Sequence, residues 1–143
     1  MKVALVDDEE DLLTELAESV AKMGHEPVLI GDPRQAIGII ASDHAIRLAL
    51  IDLLMPGMPG TEVIAGLRPL FALPRRLRVI GMTGHGSIND ICRLTESGAV
   101  AVLLKPFLAD EVIRKVSEAV SEILEPNTRA EERRENRPPG SEP

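Results

Sequence analysis

Two short apolar runs in this chain end on acids: Val3-Ala4-Leu5-Val6 leads into Asp7-Asp8, and Leu48-Ala49-Leu50-Ile51 leads into Asp52. Short, uninterrupted apolar runs bounded by polar residues read as strands buried on both faces, the pattern of a parallel sheet. If the two strands lie side by side, three carboxylates meet at one edge of that sheet. Ionised carboxylates that close repel one another strongly, so the arrangement asks for a divalent cation.

Five such units can be read along the chain, apolar runs alternating with helical patterns as in βα units around a parallel sheet. Strand one is read as Lys2 to Val6, followed by a helix carrying Leu12, Leu13, Leu16, Ala17 and Val20 and stopping near Gly24. Strand two is Pro27 to Ile30; Asp32-Pro33 then supplies an N-cap and a first-turn proline for a helix through about Ser42. Strand three is Arg47 to Ile51, and the third helix runs from Thr61 to Arg68, where Pro69 should end it. Strand four is Leu77 to Met82, the fourth helix Ser87 to Ser97 with Gly98 behind it, and strand five Ala99 to Leu104. The last helix, Leu108 to Leu124, puts Val112, Ile113, Val116, Ala119 and Val120 on one face.

One α/β domain over residues 1–125 is therefore expected, with 126–143 as a disordered tail or the start of a linker, since that stretch offers nothing to bury. The net charge is −7, and the tail holds four Arg against four Glu, so the acidic surplus lies in the first 125 residues. That argues against direct nucleic-acid binding, as does the lack of Trp and Tyr for base stacking. Cys92 is the sole cysteine, which rules out an internal disulfide, suits a reducing compartment and is expected to be half-buried on its helix. The N-terminal apolar run gives way to five acids, Asp7 to Asp11, so neither a signal peptide nor a membrane span is expected and a cytoplasmic location is. His25 and His44 read as surface residues.

In an open parallel sheet, ligands gather beyond the carboxyl ends of the strands. Asp7, Asp8, Asp52, Thr83 and Lys105 all fall there. Mg²⁺ prefers oxygen ligands, usually one or two carboxylates with waters and a phosphoryl oxygen, and Asp8 with Asp52 can supply the protein share while Asp7 acts partly through water. With Mg²⁺ and the Lys105 ammonium neutralising an incoming phosphoryl group, the Asp52 carboxylate can attack phosphorus in line and become an aspartyl phosphate. Thr83 offers a hydroxyl to a phosphoryl oxygen.

Five motifs from Lys2 to about Leu124 then fall in the order and spacing of a known family. They are Val6-Asp7-Asp8-Glu9, Ile51-Asp52 with Met55-Pro56-Gly57-Met58-Pro59-Gly60, Met82-Thr83-Gly84-His85-Gly86, Gly98-Ala99 and Lys105-Pro106-Phe107. The chain resembles the receiver domain of two-component response regulators. The resemblance implies a flavodoxin-like, doubly wound, five-stranded parallel sheet of order 2-1-3-4-5 with helices on both faces. It implies a histidine kinase or phosphotransfer protein as donor to Asp52, a metal site of Asp7, Asp8, Asp52 and the Leu54 backbone carbonyl, and Thr83 and Lys105 as readers of the phosphate. A cis Lys105-Pro106 peptide and a possible homodimer through the fourth helix, fifth strand and fifth helix follow from it too, with Arg93, Arg114, Lys115, Asp90 and Glu111 as candidate contacts. Such a domain signals by switching conformation and catalyses only its own phosphorylation and dephosphorylation.

The chain departs from the family at Val102, where active receivers commonly carry Tyr or Phe; valine has little reach and one dominant rotamer, so a switch must act through backbone shifts from Thr83 to Gly86. Leu54 and His85 fall where receivers tune hydrolysis of the phosphate, and an apolar Leu54 implies a long lifetime. Two other readings stand beside this one: a degenerate receiver that binds partners without phosphate, and a haloacid-dehalogenase-type phosphatase. The second wants another acid two residues beyond the nucleophile, where this chain has Leu54.

Overall fold

A computed structural model of the chain describes residues 1–84 and 87–124. His85, Gly86 and the expected tail at 126–143 lie outside the described residues. Five strands, β1 (Lys2–Val6), β2 (Glu26–Ile30), β3 (Ile46–Asp52), β4 (Arg78–Thr83) and β5 (Ala101–Leu104), alternate with α1 (Glu10–Lys22), α2 (Pro33–Ser42), α3 (Gly60–Leu67), α4 (Ile88–Ser97) and α5 (Ala109–Leu124). All pairings are parallel and the order is β2-β1-β3-β4-β5, as the resemblance implied.

Successive residues of the strands face opposite sides, which makes two cores. Ala4, Val6, Ala49, Ile51 and Val79 pack under α2, α3 and α4, whereas Val3, Leu5, Leu48, Leu50, Ile80 and Met82 pack under α1 and α5. Each of the Val, Leu, Ile and Met side chains, fully removed from water, contributes about 1.5–3 kcal/mol, and each Ala methyl less. The edge strand β2 tolerates Pro27 because only one of its sides is paired.

Element boundaries move by one or two residues from the sequence reading. The α3 helix ends at Leu67 and a short 3₁₀ turn, Arg68–Leu70, carries the chain on through Pro69. Pro69 has no N–H with which to continue α3, so the helix stops just before it as expected, and Pro69 takes the second position of the new turn, where no hydrogen bond is forfeited. The β5 strand starts at Ala101, two residues later than expected, although the Val100 N–H still donates to the Val79 carbonyl at 2.8 Å. Cys92 is exposed on α4, not half-buried, because α4 buries only Leu94. His44 is exposed as expected; His25 is only half-exposed, 3.3 Å from the N-terminal ammonium.

Gly60 is dictated by packing: a Cβ there would overlap the Asp52 carbonyl oxygen and sit 2.9 Å from Leu53 Cα. Its N–H donates to the Leu53 carbonyl at 2.8 Å. The loop leaving Asp52 is thus folded back against the start of α3. Gly98, at φ +118°, closes α4 in the left-handed region where a side chain would be strained. No helix among the described residues is long and apolar enough to cross a membrane.

Candidate functional site

The chain crosses from β1 outward to β2 and then back past β1 to β3, so the crevice of this sheet opens between the carboxyl ends of β1 and β3. Val6 pairs with Ile51 in the parallel ladder, which brings the next residues, Asp7 and Asp52, to the same level. The Leu53 N–H donates to the Met82 carbonyl at 2.8 Å and the Lys105 N–H to the Thr83 carbonyl at 2.7 Å. Those two bonds continue the ladders past the strand ends and bring Thr83 and Lys105 to the same rim.

Asp7, Asp8 and Asp52 each present a carboxylate oxygen within 4.8 Å of the others. Asp7 and Asp52 are buried while Asp8 is exposed. The Lys105 ammonium donates to Asp7 Oδ2 at 2.7 Å and lies 3.3 Å from Asp52 Oδ1; Asp7 Oδ1 accepts from the Glu9 N–H at 3.0 Å. Lys105-Pro106 is cis, and Thr83 is buried at the end of β4.

Burial, then the repulsion of Asp7, push the Asp52 carboxyl from its ordinary 3.8 up to about 6, with Lys105 pulling the other way. For Lys105, burial acts to lower the affinity for its proton, but the hydrogen bond to Asp7 and the charge of Asp52 outweigh it, and the net direction is upward. One ammonium therefore compensates two buried carboxylates only partly. The three acids form a hard, oxygen-only donor set that fits Mg²⁺.

Of the five side chains named from the sequence, Asp7, Asp8, Asp52 and Lys105 come together, and Thr83 is buried at the neighbouring strand end, its carbonyl accepting from the Lys105 N–H. The Leu54 side chain stands 54% exposed at the rim, and no second acid occupies that position. A Cβ at Gly84 would meet nothing within 4 Å, so open space adjoins Thr83. The sequence named Glu9 only as the last residue of the Val6-Asp7-Asp8-Glu9 motif and gave it no role. Its Oε1 lies 3.7 Å from Lys105 Nζ, and the signal was its position directly after the Asp pair.

The family model "Response regulator receiver domain" matches residues 3–117. The sporulation initiation phosphotransferase F of Bacillus subtilis (strain 168) is 31% identical over 111 residues, covering 78% of this chain and 86% of that protein. The sensory transduction protein RegX3 of Mycolicibacterium smegmatis is 35% identical over 114 residues, 80% of this chain but 48% of that protein, so the chain spans about half of RegX3's length. A CheY-like response regulator receiver domain protein from Methanospirillum hungatei JF-1 shares the fold, with a TM-score of 0.77 at 23% identity over 87% of this chain and 96% of that one.

Proposed function

The chain belongs to the response regulator receiver domain family, and from that premise we propose that Asp52 takes a phosphoryl group from a histidine kinase, a phosphotransfer protein or a small phosphodonor in a Mg²⁺-dependent reaction. The observation that carries this reading is the convergence of three carboxylates within 4.8 Å around one buried-side ammonium. Repulsive clusters of this kind cost stability and are kept where function uses them.

Asp8, Asp52 and the Leu54 carbonyl would hold the metal directly and Asp7 through water. Bound Mg²⁺ neutralises the acids and the oxygens of the incoming phosphoryl group. With its proton affinity raised only to about 6, Asp52 is ionised near neutral pH and serves as the nucleophile. One of its oxygens forms the bond to phosphorus while the bond to the donor breaks, the electron pair leaving on the donor atom, which is a ring nitrogen for phosphohistidine. Lys105 turns from Asp52 to a phosphoryl oxygen, and the Thr83 hydroxyl donates to another.

The chain acts as a switch and catalyses only its own phosphorylation and dephosphorylation. A cytoplasmic histidine kinase as donor places it in the cytoplasm. Val102 is half-buried against the core beneath α2, α3 and α4, so rearrangement passes through the backbone beyond Thr83. The face of α4, β5 and α5 exposes Ile88, Leu104, Leu108 and Ile113, which supports self-association there; Asp90 and Arg93 lie 3.8 Å apart within α4 itself.

Incubation with acetyl phosphate and Mg²⁺ tests the reading: the wild type gains about 80 Da, the mass of one phosphoryl group, and Asp52→Asn gains none. An unmodified wild type, or a modified Asp52→Asn, overturns it.

A further inference from the structure

Glu9 occupies the N-cap position of α1, yet its side chain makes no capping hydrogen bond. That position favours short side chains that reach back to the first N–H groups of the helix. Glu9 instead extends 66% exposed toward Lys105, its Oε1 3.7 Å from the ammonium. Lys105 therefore has two carboxylates on its buried side and a third on its open side. The Lys105 side chain is itself only 15% exposed.

This open side forms part of the wall of a cleft of about 440 Å³ lined by Glu9, Leu12, Glu15, Lys105 and Phe107 among others, and Lys105 connects it to Asp52, 3.3 Å from its ammonium. Two acids face one cation there, and that cation is already engaged by Asp7 and Asp52. A donor that comes to Lys105 and Asp52 from this side therefore meets apolar side chains and negative charge.

We propose that Glu9 determines which phosphodonors Asp52 accepts, holding back free dianions and sparing donors that carry positive charge beside their phosphoryl group. The proposal rests on Asp52 being the acceptor. Acetyl phosphate, a dianion near neutral pH, transfers by forming the bond from Asp52 to phosphorus and breaking the P–O bond, acetate leaving with the electron pair. Phosphoramidate carries its nitrogen protonated; the P–N bond breaks and ammonia leaves with its protons. Both transfers give the same product, so a difference between them reports the approach of the donor.

Initial rates of adduct formation, followed by intact mass at Mg²⁺ concentrations that saturate each variant, compare the wild type with Glu9→Gln and with Glu18→Gln. Glu18 is exposed farther along α1, and its variant changes net charge by the same amount. At low ionic strength Glu9→Gln is expected to accelerate uptake from acetyl phosphate about threefold to tenfold and from phosphoramidate less than about twofold, the gap closing near about 0.5 M salt. Glu18→Gln should leave both rates within about twofold of wild type, since charge at that distance is screened. Equal acceleration of both donors by Glu9→Gln, or of neither while Asp52 still gains the phosphoryl group, overturns the role of Glu9. No adduct from either donor in any variant removes the acceptor itself, and the proposal with it.

Discussion

At the carboxyl ends of the strands, Asp7 and Asp52 are buried with a single ammonium between them, 2.7 Å from one and 3.3 Å from the other. At the amino ends, Arg75 gives its guanidinium to main-chain carbonyls: Nε to Ile46 at 3.1 Å, Nη1 to Ala41 at 3.1 Å, and Nη2 to Asp43 at 2.6 Å and to Ile40. Lys2 pairs with Asp43 at 2.9 Å and Arg78 with Glu122 at 3.1 Å along the same edge. The lower edge thus places opposite charges and carbonyls around its cations, and its charges hold the fold together. The upper edge places like charges together, and its strain is what a cation and a phosphoryl group would relieve. The same sheet supports both because strand pairing fixes where the side chains arrive, whatever their charge.

Asp52 offers the sharpest way to break this contrast. Folded, it binds a proton more readily than unfolded, so its own contribution to stability is fully present below 3.8 and is lost as pH rises through about 6. The gap between those values corresponds to roughly 3 kcal/mol. Asp52→Asn should therefore be more stable than wild type near neutral pH, with the difference vanishing in denaturant titrations near pH about 3.5. A variant less stable than wild type at neutral pH would mean the upper edge is not strained.

At the other edge, Arg75→Met should cost about 2–3 kcal/mol in the same assay, because the carbonyls of Ile40, Ala41, Asp43 and Ile46 lose a common donor. Its rate of phosphoryl uptake should match wild type. The neighbouring Arg76 is the exception that sharpens the picture: it is buried, 5% exposed, and its Nη1 has no hydrogen-bond partner among the described residues. Arg76→Met should be neutral or stabilising by up to about 1 kcal/mol, since an apolar chain of similar size replaces a buried charge that gains little. If Arg76→Met proves as costly as Arg75→Met, the lower edge is not organised by main-chain acceptors. The smallest effect belongs to Glu122→Gln, half-exposed opposite Arg78. It should lose no more than about 0.5 kcal/mol, most of it recovered in salt.

The upper edge was readable in the sequence because an apolar run ending on an acid names both the element and the place where its side chain emerges. Asp7, Asp8, Asp52, Thr83 and Lys105 were placed in this way, and the strand order came from the family resemblance. The lower edge was not readable. Arg75 acts on carbonyls of Ile40, Ala41, Asp43 and Ile46, and main-chain acceptors leave no mark on residue type. Cys92 was expected to be half-buried on its helix, yet it is exposed, and Leu94 is the one fully buried residue of α4. A Cβ at Gly81 would lie 2.8 Å from the Leu94 side chain, so a glycine in the preceding strand, β4, sets how closely that helix approaches. The Lys105 ammonium was expected to neutralise the acids as a group; its nearest partner is Asp7, a choice fixed by the backbone beyond β5.

Thermal unfolding near neutral pH with increasing Mg²⁺ tests the central claim most directly. A ligand bound only by the folded state at about a hundredfold above its dissociation constant adds about 2.7 kcal/mol. The wild-type midpoint should rise by several degrees, whereas Asp52→Asn should start higher and rise less. A wild type whose midpoint ignores Mg²⁺, or an Asp52→Asn variant that starts lower and gains as much, would contradict the account.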